Sequence, residues 1–237
     1  MHQGETWLTG WRRRHTTAWG SLLDEQEILL AALSLQQTGN VRVVVFEHLR
    51  APQGLLDAAA RDDWLVQTLR GPGEHLPASR RTMALALREG RCRQGTLLWQ
   101  GAIQHRALQA EVQLEAAAAL EVDPEQVGFD FHVSQDASPQ GTPVHWAACL
   151  RSELLHWQRH ARTAGWRLPV VEPEHQAARR AATCLRGDQL HWAVSPQDWQ
   201  FSRTSERDMS DQDWQRLQSS PMWGPLVACG AALRALQ

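Results

Sequence analysis

The sequence predicts an α/β protein in which mixed β-sheets carry helices on their faces. Segments with the period of strands and segments with the period of helices alternate in blocks along the 237 residues. The stretch from His105 to Leu120 places its apolar residues on one helical stripe. The stretch from Val127 to Val133 alternates apolar with polar residues, as a half-buried strand does. Strands and helices in this order form sheets with helices packed against them.

The N-terminal half is predicted to be mainly β. Its third strand is rich in β-branched residues and follows the turn signal "TGN". The helix after "APQG" carries a broad apolar face. The predicted elements are strands at Trp19–Leu23, Glu27–Gln36 and Val41–Leu49, a helix over Leu55–Leu69, and strands at Arg81–Leu87 and Thr96–Trp99.

The C-terminal half mixes strands and helices. Gly165 is a typical residue for the end of a helix, and Pro173 suits the first turn of the next one. After the strand that ends at Val133, the predicted elements are a strand at Val144–Leu150, a helix over Arg151–Ala164, a strand at Trp166–Pro173, a helix over Glu174–Leu185, strands at Gln189–Val194 and Trp199–Arg203, and helices over Ser210–Gln218 and Leu226–Leu236.

Composition excludes several functions. The formal net charge of −2 provides no strong field for nucleic acid or for an anionic membrane. Every basic residue other than histidine is an arginine, so a lysine Schiff base and a P-loop lysine are excluded. No nucleophile elbow and no dinucleotide-binding fingerprint occurs. The sequence therefore contains no recognised catalytic motif.

The four cysteines lie far apart, without a C-x-x-C pair, and are interpreted as reduced, buried thiols of a cytosolic protein. No apolar run approaches the ~20 residues that a membrane helix needs. Residues 1–17 contain a Trp-Arg cluster without a clear period. We interpret them as a leader with solvated arginines, and contact with a membrane interface is the alternative.

Histidines and carboxylates give weak signals. His156 and His160 have the i,i+4 spacing that can hold zinc, but Trp157 stands where the H-E-x-x-H motif has Glu. A third ligand would have to come from elsewhere, so surface histidines are favoured and no metal site is predicted. His132 and His145 are expected to pair across adjacent strands. The acidic clusters at Asp62–Asp63 and Asp211–Asp213 are interpreted as solvated or as lying near helix N-termini.

Several stretches resemble one family, the PilM-like proteins of type IV pilus and competence machinery, notably the shorter HofM-like members. They follow the order of the family and cover about two thirds of the chain. The stretches are "HLPASRRTMALAL", "LQAEVQLEAAAALEVDPEQVGFDFHV", "VHWAACLRSELLHWQRHARTAGWRLPVVEPEHQAARRA" and "LVACGAALRAL".

The resemblance implies an actin- and FtsA-like fold, related to the ribonuclease H architecture, with a reduced second lobe. It implies a first subdomain over 18–104, an inserted 1C-like subdomain over 105–150, and the rest of the core with a truncated second lobe over 151–237. After Leu185 about fifty residues remain, which we expect to be too few for a full second lobe.

The family's phosphate hairpin is degenerate in this sequence. Where family members have a glycine- and serine-rich turn, this chain has Asp24, Glu25 and Glu27, preceded by Gly20 and Ser21. A phosphate loop needs small residues, so that backbone N–H groups can surround the anion. Three carboxylates are expected to repel a triphosphate. We therefore expect no bound nucleotide or other cofactor and no catalysis, and a nucleotide-binding actin-like ATPase is the alternative.

The resemblance also implies a partner. PilM-like proteins capture the short cytosolic N-terminal tail of a PilN-like bitopic inner-membrane protein in a groove between subdomains. This implies a cytoplasmic scaffold, peripheral to the inner membrane, that does not contact nucleic acid directly. A cytosolic component of a type II secretion platform is a further alternative. The expected groove residues are Val112, Glu115, Leu120, Phe129 and Phe131, for which packing of the helix onto its strand is an equal alternative.

Overall fold

A computed structural model describes most of the chain. Two predicted segments, the leader up to residue 16 and the strand at Gln189–Val194, lie outside the described residues. The described residues are 17–37, 39–54, 57–135, 140–187, 195–204 and 208–236.

The larger of the two sheets in the described part of the chain has six strands. They are β1 (Thr17–Leu23), β2 (Glu27–Leu35), β3 (Val41–Arg50), β4 (Thr82–Leu87), β8 (Arg167–Pro173) and β9 (Gln200–Phe201). The order in the sheet is β8-β4-β1-β2-β3-β9, with β1, β2 and β3 antiparallel, and with β4 and β8 added in parallel beside β1. Because β1 and β2 are apolar on both faces, they occupy the buried centre.

Helices cover both faces of this sheet. On one face, α1 (Ala58–Gly73) and α3 (Arg151–Thr163) form a core with Trp19 and Leu23 of β1. On the other face, α4 (Glu174–Cys184) and α6 (Trp223–Leu236) form a second core that includes Leu22. Successive β1 side chains thus enter opposite cores, as the period of two requires.

The smaller sheet consists of three antiparallel strands with one helix on its face. Its elements are β5 (Cys92–Trp99), α2 (His105–Leu120), β6 (Val127–Val133) and β7 (Thr142–Leu150), and the strand order is β5-β7-β6. Leu108 and Val112 of α2 pack against Val127 and Trp146. The predicted boundary at residue 104 places β5 in the first subdomain, whereas β5 pairs with β7 of the second.

The described residues after α4 return to the large sheet. β9 pairs with β3, α5 (Asp211–Gln218) follows, and α6 packs on β1, β2 and β4. Within the described ranges, no helix is both long enough and apolar enough to cross a lipid bilayer.

Candidate functional site

The turn between β1 and β2 carries the three acids that replace the phosphate-binding residues. The backbone N–H of Asp24 donates to the carbonyl of Glu27 at 2.9 Å, which closes the turn on itself. Asp24 and Glu27 are half-buried, and Glu25 is exposed. The acids therefore lie at the surface, where they can reach side chains from neighbouring segments.

Three arginines pair with these acids. Nε of Arg88 lies 2.8 Å from a carboxylate oxygen of Asp24, and Arg88 also pairs with Glu27. Glu25 accepts from Arg91 at 2.8 Å and from Arg61 at 3.1 Å.

Arg91 extends this group into α3, because its second nitrogen donates to both carboxylate oxygens of Glu153 at 2.9 and 3.0 Å. The hydrogen bond from Arg91 lowers the pKa of Glu25 below its ordinary value. We call this group the turn network; it comprises Asp24, Glu25, Glu27, Arg61, Arg88, Arg91 and Glu153.

The turn network changes the electrostatic argument made from the sequence. The carboxylates were expected to repel phosphate, but each of the three acids of the turn pairs with an arginine of the same chain. They hold the turn against α1, α3 and the segment that precedes β5. Sequence reasoning missed the arginines because they come from distant positions, and only the fold brings them together.

The small residues before the turn serve packing in this structure. A Cβ at Gly20 would lie 2.1 Å from the backbone nitrogen of Ala232 and 2.3 Å from the carbonyl oxygen of Ala228, so α6 crosses β1 directly over this glycine. Ser21 is buried, and its hydroxyl donates to the carbonyl of Ala84 at 3.3 Å. Both residues therefore have a structural role that does not involve a ligand.

A polar cavity of about 570 Å³ opens beside the turn. Its size falls within the range of small-molecule sites. Asp24, Glu27, Arg50 and Arg61 line it, so two positive and two negative charges face the same space. A triphosphate site needs a surplus of positive charge or converging backbone N–H donors. The balanced side-chain charges around this cavity do not provide a surplus of positive charge.

A second concave feature, the inter-sheet groove, lies where the small sheet meets α3 and the edge of the large sheet. It has a volume of about 210 Å³. β6 contributes Gly128, Phe129 and Asp130. The facing side is formed by α3 and β8. Its lining residues are Leu154 and Gln158 of α3 and Leu168, Pro169, Val171, Glu172 and Pro173 of β8. The groove is thus bordered by β6 and β8, which are edge strands of the two sheets.

The chemistry of the groove is mainly apolar. Buried Leu87 and Cys149 contribute to its lining. The buried carboxylate of Glu172 forms two hydrogen bonds of 2.7 Å with Arg180, so this wall carries no uncompensated charge. Asp130 is exposed, and no described ion pair includes it. An apolar lining beside an exposed carboxylate is chemically complementary to apolar and basic groups.

The residues predicted to line a partner groove have different surroundings in the structure. Val112 is 0% exposed and packs α2 onto the small sheet. Leu120 and Phe131 are half-buried against the same core, and Glu115 is exposed on α2. Of the five predicted residues, only Phe129 lines the inter-sheet groove. The groove residues that come from α3 and β8 were not predicted from the sequence.

The structure also places the histidines. His132 and His145 are cross-strand partners with ring centroids 5.0 Å apart, which confirms the predicted pairing. The interpretation of His160 as a surface residue is wrong. This residue of α3 is only 5% exposed, and its side chain contacts Asp62 of α1. Burial, and then the neighbouring His160, lowers the pKa of half-buried His156.

Comparison with known proteins gives a likeness of fold. No protein-family model and no curated protein matches the sequence. Among solved structures, a chain of the PilM–PilN type IV pilus biogenesis complex aligns with a TM-score of 0.57 at 18% identity, covering 72% of this chain and 51% of that chain. The cytoplasmic domain of EpsL, an inner membrane component of the Vibrio cholerae type II secretion system, aligns with a TM-score of 0.49 at 15% identity. This alignment covers 68% of this chain and 58% of that chain.

The first likeness shows that this chain has the actin-like ATPase fold, which confirms the predicted mixed α/β class. This chain spans about half the length of the pilus protein chain that it matches.

Proposed function

We propose that this chain is a non-catalytic scaffold of a type IV pilus or DNA-uptake assembly at the inner face of the bacterial inner membrane. Its partner is the short cytosolic N-terminal tail of a PilN-like bitopic membrane protein. The fold likeness to a chain of the PilM–PilN complex supports this proposal. The observation that carries it is the inter-sheet groove, which offers a mainly apolar surface between two edge strands.

An extended peptide can use this groove in two ways. The edge of β6 offers backbone groups to an added strand, and the apolar lining accepts alternate side chains. β8 is a poorer edge for pairing, because Pro169 and Pro173 lack an N–H group. The affinity of the free peptide is expected to be modest, since tethering of both proteins to one membrane raises their effective concentration.

A peptide titration tests the site. The probe is a synthetic peptide of the cytosolic N-terminal tail of a PilN-like membrane protein from the same organism, and binding is followed by tryptophan fluorescence and calorimetry. We expect saturable binding, weakened about tenfold (~1.4 kcal/mol) by Asp130→Arg at the groove rim. Glu111→Arg, a charge reversal at an exposed acid of α2 outside the groove, is the matched control and should bind as the wild type does. Absent binding, or equal binding by Asp130→Arg, would contradict the proposal.

The absence of catalysis is part of the same proposal and has its own test. The acids of the turn already have arginine partners, and the charges around the adjacent cavity balance. Titration with MgATP in a calorimeter should therefore give no heat of binding, and phosphate release should equal the buffer blank. Micromolar binding of ATP would instead favour the actin-like ATPase alternative.

A further inference from the structure

We propose that Asp62, His156 and His160 form a binding site for a divalent transition-metal ion, with zinc as the preferred ion. Asp62 lies on α1, and the two histidines lie one turn apart on α3. Their ligand atoms all lie within 4.8 Å of one another. The fold thus brings in the third ligand that the i,i+4 histidine pair lacked in the sequence, and it revises the expectation of no metal site.

The orientation of His160 fits a metal ligand. Its Nδ1 lies 2.8 Å from the backbone carbonyl oxygen of His156, which can only accept a hydrogen bond. Nδ1 therefore carries the proton, and the lone pair of a neutral ring is on Nε2. A hydrogen bond from the other ring nitrogen to a backbone carbonyl is the usual outer-shell support of a metal-bound histidine.

The contact between His160 and Asp62 calls for a cation. Nε2 of His160 lies 3.2 Å from Oδ1 of Asp62. With a neutral imidazole, this distance would set a lone pair against a carboxylate. Either a proton on Nε2 or a metal ion between the two atoms relieves the repulsion. His156 favours the metal, because its ring centroid lies 4.2 Å from that of His160 and brings a second nitrogen donor to the same place.

The distances and donor types suit zinc. Two imidazole nitrogens and one carboxylate oxygen are a common zinc donor set. Donors at ~2.0–2.2 Å from a tetrahedral ion lie about 3.4 Å apart, which is close to the observed 3.2 Å. The two remaining separations both involve His156 and are at most 4.8 Å, so they can close by rotation of the half-buried His156 ring together with Asp62, whose side chain is 53% exposed. A water molecule would complete four-coordination.

The neighbouring groups are already engaged. Glu153, one turn before Trp157 on α3, accepts from the Trp157 indole at 2.5 Å and from Arg91. All four cysteines are buried. A metal ion would therefore take Asp62, His156 and His160 and join α1 to α3 beside the turn network.

Metal titration of the tag-free, chelator-treated full chain tests the site. The probes are ZnCl2 in calorimetry and thermal unfolding, and CoCl2 in visible absorption. We expect one ion per chain, a rise in Tm with zinc, and cobalt d–d bands that zinc displaces. Asp62→Asn and His156→Gln change exposed or half-buried side chains, and each should weaken binding at least tenfold. His132→Gln removes a histidine from the exposed cross-strand pair and should leave the affinity unchanged.

Three results would overturn the proposal. One is a folded wild-type protein with neither a cobalt band nor a zinc-dependent Tm, which would leave His160 and Asp62 as a plain ion pair. Another is wild-type affinity in both Asp62→Asn and His156→Gln. The third is loss of binding in His132→Gln, which would place the ion on the small sheet. None of these results depends on whether the chain binds a peptide.

Discussion

At the scale of single residues, Arg91 and Glu25 show how the acidic turn is stabilised. Arg91 joins Glu25 of the turn to Glu153 of α3. Its hydrogen bond keeps the pKa of Glu25 below the ordinary 4.5, against the opposing effect of burial. A carboxyl whose pKa is lower in the folded state stabilises that state above its unfolded pKa, and this contribution is lost as the pH falls through the folded pKa.

Replacement of Glu25 should therefore have a pH-dependent effect. We expect Glu25→Gln to lower the free energy of unfolding by up to about 1 kcal/mol near pH 7, because the ion pairs lie at the surface. The difference from the wild type should shrink as the pH falls below about 4.5. Urea denaturation across this range measures it. Glu111→Gln, an exposed acid of α2 that no described ion pair includes, is the control. A Glu25→Gln effect that stays constant with pH would contradict this origin.

Gly20 is a residue whose role depends on the helix above it. A Cβ there would meet backbone atoms of α6, which cannot move aside as the end of a flexible side chain can. We expect Gly20→Ala to reduce the free energy of unfolding by about 1–3 kcal/mol. Gly90→Ala is the matched control, because no atom outside its two chain neighbours lies within 4 Å of its Cβ position, and its stability should stay within about 0.5 kcal/mol of the wild type. Chemical denaturation of both variants measures the difference; equal stabilities would contradict the close packing.

At the scale of elements, local periodicity predicted the helices and strands that have one clear apolar face. The structure confirms α2 at His105–Leu120 and β6 at Val127–Val133. β5 begins four residues earlier than predicted, because Arg93 and Gln94 are polar and become a strand only by pairing with β7. The return of β9 to the edge of the first sheet also depends on a long-range contact, which a local pattern cannot report.

The candidate sites illustrate the same limit. The sequence located the acidic turn between β1 and β2, but not the arginines around it. It also identified the spacing of His156 and His160, while Asp62 lies nearly a hundred residues earlier. α3 unites these features, since it contributes Glu153 to the turn network, Leu154 to the inter-sheet groove and two histidines to the contact with α1.

The amphipathic packing of α2 can be tested with one pair of variants. Leu108 is 0% exposed and Leu114 is 56% exposed on the same helix. We expect Leu108→Ala to cost about 2–5 kcal/mol of stability, because it leaves a cavity against the small sheet. Leu114→Ala makes the same chemical change at the surface and should stay within about 0.5 kcal/mol of the wild type. Thermal and urea unfolding measure both; similar losses would show that α2 packs through another face.

At the scale of the whole molecule, the large sheet belongs to two cores at once. Cys92 and Cys149 lie in the core under α1 and α3, and Cys184 and Cys229 lie in the core under α4 and α6. Because the same strands provide one face of each core, loss of either core exposes the sheet that supports the other. The two cores are therefore expected to unfold together.

The cysteines can report this coupling. Burial raises the pKa of Cys92 to about 12 and that of Cys149 to about 11, and it raises the pKa of Cys229 as well. Since the thiolate is the reactive form, native protein near pH 8 should react very slowly with a disulfide reagent. As urea increases, the pair in each core should become reactive at the same concentration. A Cys184→Ala/Cys229→Ala variant reports the first core alone, and Cys92→Ala/Cys149→Ala reports the second. The urea midpoint of cysteine labelling is compared with the unfolding midpoint that circular dichroism gives for the same variant, which corrects for the altered stability of that variant. Labelling of one core at urea concentrations well below the unfolding midpoint of the variant would show that the two cores open separately.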